Sequence, residues 1–322
     1  MSRKPLPPVV RIEPASACNL RCNHCPTGVV DQARSVMTSE VFDRVLSELT
    51  KHVPPIRVAV LYHGGEPFLN KQFLSMVSSV KALGIPLVKT VTNGMSIKRE
   101  LCDAIATSGL DEIEFSLDGE DAKENDAVRQ RCDFKYVVDV VRALAAANAR
   151  HGLRMKIAIA TVQFRRAIDT DFEREPEVPA FLREAFSDLG PAIHFKPTWA
   201  IVWPSGQPAS GYDVLHDNRP RSPAVRCRLL EDTITIRADG TVVACCYDLL
   251  TQSSLGNIVR ESLDEIWNGG QYRRFREGFS TGDYPSLCRN CAVVTGNRYL
   301  VKRGKPAPQT VHESRLAGLT VQ

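Results

Sequence analysis

The chain has 322 residues, enough for one large domain and a smaller one, and its 43% hydrophobic content is that of an ordinary water-soluble protein. Its 41 basic and 37 acidic residues leave a formal charge of +4, too small to argue for nucleic acid or membrane as a partner. No apolar run reaches the roughly 18–20 residues of a membrane span, and "MSRKPLPPVV" has no signal-peptide core, so the expected location is the cytoplasm, where ten cysteines argue for metal or redox chemistry over disulfides.

In chain order, strand-like runs alternate with amphipathic ones. "VVRIEPA" opens the series, followed by strands in 57–67, 86–94, 112–119, 154–162 and 192–199. Each is rich in β-branched or aromatic residues, and the central ones read as nearly continuous apolar runs, as parallel strands covered by helices should. Between the first two strands, Val41, Phe42, Val45, Leu46 and Leu49 fall on one helical face behind a Thr38/Ser39 N-cap. Further helices are expected to end at Gly84, Gly109 and Gly152, where a left-handed C-cap suits glycine. Six such βα units imply a right-handed wound parallel sheet, short of the eight units of a full barrel.

The polar and glycine-rich residues all follow strands: Cys18–Cys25, Gly64–Pro67, Thr92–Gly94 and Ser116–Gly119. In parallel α/β architectures the carboxyl ends of the strands carry the chemistry, so these loops should meet across one mouth. The first spaces its cysteines C-x3-C-x2-C, at Cys18, Cys22 and Cys25. Three thiolates with no fourth suit a 4Fe–4S cluster with one iron left open; the alternative is zinc, with His24 as the missing ligand.

After about residue 205 the texture changes to a Pro/Gly/Ser-rich connection, then "DTITIRADGTVVACCYD", a hairpin signal at Asp239-Gly240. A short helix in "SLDEIWNGGQYRRFREG" precedes Cys288-x2-Cys291. The expected domains are therefore 1–205 and 206–322. Arg298, Lys302, Arg303 and Lys305, beside Pro306 and Pro308, read as a solvated basic tail.

The cysteine loop followed by "HGGEP" resembles the radical S-adenosylmethionine enzymes over about residues 8–200. The resemblance implies a partial (β/α)6 TIM-type barrel and S-adenosylmethionine bound to a 4Fe–4S cluster on Cys18, Cys22 and Cys25. It places His24 beside the adenine and Gly64, Gly65, Glu66 and Pro67 near the methionine amino group. Asn93 would line the cofactor pocket, Ser116 would contact the ribose or carboxylate, and Arg129 would pair with the methionine carboxylate. Read without the resemblance, Ser116 and Asp118 are helix-cap or turn residues and Arg129 a surface arginine.

Cys227, twelve residues, Gly240, four residues and Cys245, then Cys288 and Cys291, are similar to the auxiliary-cluster extension named SPASM, or its shorter twitch form. A full SPASM domain has further cysteines, whereas none follows Cys291 here. The four that remain would close one 4Fe–4S cluster suited to moving electrons, or else form a zinc ribbon. Cys102 and Cys132 read as buried core. Cys246 reads as an alternative ligand, a filler, or a thiol that returns a hydrogen atom to a substrate radical.

The reaction implied by the resemblance is hydrogen abstraction by a 5′-deoxyadenosyl radical, fed by an external donor such as flavodoxin or ferredoxin. Oxidation or epimerisation of a carbinol carbon in a small sugar or aminocyclitol of an antibiotic pathway is the leading expectation. With the first strand near residue 8, no room is expected for an N-terminal peptide-recognition domain. Maturation of a ribosomal peptide is the alternative, and a non-catalytic zinc-binding protein is the alternative of another class.

Overall fold

The computed structural model describes residues 3–303, apart from 54, 153, 170 and 205–210. All six expected strands form: β1 Val9–Ile12, β2 Val58–Val60, β3 Leu87–Thr92, β4 Glu112–Ser116, β5 Lys156–Gln163 and β6 Ile193–Trp199. They pair in that order, each parallel to the next. The intervening helices are α1 Ser39–Thr50, α2 Phe73–Ala82, α3 Cys102–Thr107, α4 Ala122–Val128, α5 Phe134–Arg150 and α6 Ala180–Ala185. This is a partial (β/α)6 barrel.

Helix positions follow from their local chemistry. Thr38 caps α1, its hydroxyl accepting from Val41 N, and Phe42, Val45 and Leu49 are buried against the sheet. Gly84, Gly109 and Gly152 follow α2, α3 and α5 with φ of 81°, 97° and 89°, the left-handed conformation expected of them. The 97–108 stretch begins with a 3₁₀ turn, Arg99–Leu101, before α3.

The central strands are less apolar than expected. Ile113 and Phe115 of β4 face the helices, but Glu112 and Glu114 share the opposite face and pair there with Lys196 and Lys89. Along β4 the barrel's inner wall is thus charged, while its outer wall is core.

The C-terminal part is β7 Tyr212–His216, β8 Thr233–Ile236, β9 Thr241–Val243, β10 Ser254–Asn257, α7 Leu263–Trp267, α8 Gly270–Thr281 and β11 Arg298–Lys302. The hairpin at Asp239-Gly240 is present, β8 running antiparallel to β9. It is also joined to the barrel: β8 pairs parallel with β1 on the side away from β2, so one sheet runs from β10 to β6. The expected domain boundary at 205/206 lies outside the described residues.

Two expectations are corrected. The basic segment is no solvated tail as far as residue 303: β11 pairs with β7, Val301 is buried, and Lys302 pairs with Glu124. The apolar run Tyr299–Val301, buried throughout, carried that strand signal between the charges of Arg298 and Lys302. Lys305, Pro306 and Pro308 lie outside the described residues. The single helix expected in 262–278 is two, broken at Gly269, where a Cβ would stand 2.8 Å from the Glu265 carbonyl.

Candidate functional site

The loops after β1, β2, β3 and β4 meet at the barrel mouth. Leaving β1, the chain makes the cysteine loop, in which Cys25 N donates to Cys22 O at 3.2 Å and Gly28 N to Cys25 O at 2.9 Å. Cys22 lies beside Arg129 in a two-residue antiparallel ladder. The loop after β2 is pressed onto it: Glu66 N donates to Ala17 O at 2.8 Å. A Cβ on Gly65 would stand 2.3 Å from Ala15 O and 2.4 Å from Ala17 O, so only glycine fits.

Glu66 is fully engaged. Its carboxylate accepts from Thr92 Oγ1 at 2.7 Å, Asn93 N at 2.8 Å and Phe68 N at 3.2 Å, tying the β2 loop to the end of β3. Burial pushes its pKa up, against those hydrogen bonds. Pro67 is buried and opens the one-turn helix Pro67–Leu69. Asn93 reaches the cysteine loop, its Nδ2 donating to Asn19 Oδ1 at 2.8 Å and lying 3.7 Å from Cys18 Sγ.

Asp118, read from sequence as a cap, is instead a buried hub; Asp121 caps α4. Its Oδ1 accepts from Val162 N at 2.7 Å, and its Oδ2 accepts from Arg129 Nη1 at 2.7 Å and lies 3.5 Å from His24 Nε2. Arg129 is accordingly buried, not on the surface. Ser116 ends β4, half-buried at the same mouth. Burial lowers the His24 pKa, opposed by Asp118. His24 meets Phe164 edge-on at 6.0 Å, and its carbonyl accepts from Trp203 Nε1 at 2.9 Å.

The cysteine loop fits an iron–sulfur group holding a polar ligand. Burial pushes the Cys18 thiol up and takes Cys22 to about 12, so these sulfurs call for a cation to hold them as thiolates. His24 Nδ1 and Thr27 Oγ1 are buried with no hydrogen-bond partner, donors or acceptors for something the chain does not supply. The missing Cβ of Gly64 leaves a cradle between Thr27, Glu13 and Leu249.

The second set assembles from three segments. Burial raises the Cys245 thiol well above its usual range, with Cys246, Cys288 and Cys291 adding to the effect. Cys288 is pushed to about 12, chiefly by burial and then by Cys291 and Cys227. The four expected ligands are therefore neighbours, with Cys246 among them. Asp248 holds their loop, accepting from Gln252 N, Ser253 N and Ser253 Oγ at 2.8, 2.7 and 2.6 Å. Cys102 is buried in α3 and Cys132 is half-buried, its sulfur accepting from Asn125 Nδ2 at 3.5 Å. Among the described residues, no three His, Cys, Asp or Glu side chains close on a point as a single metal ion would require.

Sequence reasoning missed Glu13, His63, Trp203 and Tyr247. Glu13 left one signal, a carboxylate directly after a short buried strand; Trp203 sits in irregular chain and left none. Trp203 and Tyr247 pack edge to face at 5.5 Å between the two cysteine sites.

Comparison with known proteins agrees with this layout. A family described as the radical SAM superfamily matches residues 12–161, and one described as an iron–sulfur cluster-binding domain, SPASM, matches residues 227–292. Mycofactocin maturase MftC of Mycobacterium ulcerans is 27% identical over 301 residues, spanning 85% of this chain and 77% of its own length. The fold is similar to BtrN in complex with AdoMet and 2-DOIA (TM-score 0.57, 16% identity, 92% of this chain and 94% of that one). It is also similar to Streptococcus suis SuiB bound to its precursor peptide SuiA (TM-score 0.55, 15% identity, 85% and 67%). The chain belongs to the radical S-adenosylmethionine family with a C-terminal SPASM domain, and its cofactors are S-adenosylmethionine and iron–sulfur clusters, an auxiliary one among them.

Proposed function

We propose that the protein is a radical S-adenosylmethionine maturase that modifies a ribosomally made peptide. The observation that carries this reading is an elongated groove at the barrel mouth. One cavity of about 590 Å³ is walled by Pro197–Trp199 at the end of β6, by 172–176, and by Tyr247 next to the auxiliary cysteines. It shares Phe172, Glu173 and Arg219 with a second cavity of about 610 Å³ that continues past Leu215 and His216. Either alone has room for a small molecule, whereas the two in series suit an extended chain. Similarity to a maturase over most of the chain supports the same reading.

Bound at the cysteine loop, S-adenosylmethionine with its cluster supplies a radical able to take hydrogen from an unactivated C–H bond. In this reading Cys18, Cys22 and Cys25 hold that cluster, while Gly64, Gly65 and Asn93 shape the pocket beside it. Arg129, paired with Asp118, keeps a buried positive charge at the loop. Cys227, Cys245, Cys288 and Cys291 hold the auxiliary cluster, and Trp203 with Tyr247 walls the space between the sites and keeps water out. An external flavodoxin or ferredoxin supplies electrons.

A second reading, oxidation or epimerisation of a sugar or aminocyclitol, draws on the fold likeness to BtrN over 94% of that protein. In it Cys246 would be the hydrogen donor for epimerisation. The two readings separate in one assay. Anaerobically reconstituted protein, given S-adenosylmethionine, dithionite and a candidate ribosomal precursor peptide, should release 5′-deoxyadenosine and change the mass of the peptide. Turnover of an aminocyclitol with the peptide untouched would overturn the maturase reading.

A further inference from the structure

Glu13 lies one residue past β1 and is completely buried. Its two oxygens serve different parts of the molecule. Oε1 accepts from Gly64 N at 2.9 Å and lies 3.3 Å from His63 Nδ1, both in the loop after β2. Oε2 accepts from Ala238 N at 3.1 Å and lies 3.2 Å from Arg237 Nε, both in the turn between β8 and β9. The partners reach further still. His63 Nε2 lies 3.2 Å from the Cys246 carbonyl, and Arg237 Nη1 donates to the Leu249 carbonyl at 2.9 Å. The side chain of Leu249 closes the ring, lying 3.4 Å from where a Cβ of Gly64 would be.

One carboxylate thus clamps the cofactor loop with one oxygen and the auxiliary module with the other. Buried ion pairs of this kind add little net stability over well-packed apolar side chains, because desolvation offsets their attraction. What they do well is fix register, since each partner left alone would be a buried, unpaired charge.

We propose that Glu13, with Arg237 and His63, sets the position of the Gly64-Gly65 loop relative to the Cys245–Cys246 loop, so that cofactor binding and the auxiliary site are mechanically coupled. Glu13 is a positioning residue. The proposal rests on the family's two cysteine sites and is independent of the peptide reading.

Glu13→Gln is the informative variant, because it keeps the shape but must turn an NH2 toward either Gly64 N–H or Ala238 N–H, donor against donor. The reconstituted variant should load as much iron as the wild type and bind S-adenosylmethionine about tenfold to a hundredfold more weakly. Amide hydrogen exchange should quicken in both 62–66 and 245–249. Arg237→Gln alters only the auxiliary side, yet it should weaken cofactor binding too, and the double variant should bind no worse than Glu13→Gln alone. If Glu13→Gln does not load iron, the Arg237→Gln measurements decide the matter. Cofactor affinity within about twofold of wild type in Arg237→Gln, with faster exchange confined to 245–249, would overturn the coupling. None of these measurements uses a substrate, so failure of the maturase reading leaves them intact.

Discussion

The two cysteine sites are built in opposite ways. Cys18, Cys22 and Cys25 lie within eight positions on one loop, ordered by short-range bonds and by the β2 loop pressed onto it. Cys227, Cys245 and the Cys288–Cys291 pair come from three segments that approach only when β8, β9 and the helices after them are in place. Closing those long loops is entropically unfavourable, and metal binding at those cysteines would offset it. The local set lacks a fourth member and sits at the barrel mouth; the dispersed set has its fourth and, with a cluster bound, would hold a module together. Openness goes with chemistry, closure with architecture.

The contrast can be broken most sharply at the loop itself. Replacing Cys18, Cys22 and Cys25 together by Ala should abolish 5′-deoxyadenosine formation while leaving roughly half of an expected eight or so irons, measured colorimetrically after anaerobic reconstitution. Replacing Cys288 and Cys291 should also halve the iron, but cofactor cleavage without substrate should survive. In that variant the melting temperature should fall, because metal binding at a dispersed site is folding free energy. Equal loss of cleavage in the two variants would erase the distinction between the sites.

Glycines give the next effect. Gly65→Ala drives a Cβ into two backbone carbonyls and should weaken cofactor binding by roughly 5- to 150-fold, as 1–3 kcal/mol of overpacking implies. Gly84→Ala has φ of 81° but open space around it, so it should lower stability by about 1–2 kcal/mol and leave affinity unchanged. Titration calorimetry and thermal melts separate the two.

The subtlest effect is a pH dependence. Burial pushes the Glu13 carboxyl up, but His63, Arg237 and the Gly64 N–H outweigh it and hold its pKa at about 2, against 4.5 for an ordinary glutamate. A folded-state value below the unfolded one stabilises the fold above about pH 4.5, and that contribution fades as pH falls toward 2. Its size is about 3 kcal/mol. The gap in urea midpoint between wild type and Glu13→Gln should therefore be wide at pH 6, smaller at pH 3.5 and nearly closed by pH 2; a gap that does not change with pH would count against the ion-pair account.

Much of this was legible in the sequence because the signals were local. Strand runs, glycine caps, the Thr38 cap and the loops after strands all depend on residues a few positions apart, and each formed where read. The cysteine sets were legible by spacing as well, Cys18, Cys22 and Cys25 on one loop and Cys288-x2-Cys291 in the C-terminal part. What escaped reading was partnership over distance. Asp118 looks like a turn residue until His24, Arg129 and Val162 are seen to converge on it. Glu112 and Glu114 sit in a strand whose neighbours read as apolar, and their partners Lys89 and Lys196 come from other strands of the sheet. The strand β11 was hidden by its own charges, since its short apolar run was outweighed by four cations near two prolines.

The pairing of β8 with β1 bears on how the chain is made. Until residues 233–236 emerge from the ribosome, β1 is an unprotected edge, "VVRI", with free backbone donors and acceptors on one side. The barrel's first strand thus waits for the last third of translation to be covered. Overexpression that outruns this step, or truncation before residue 233, should yield edge-to-edge aggregates even though every barrel strand is present.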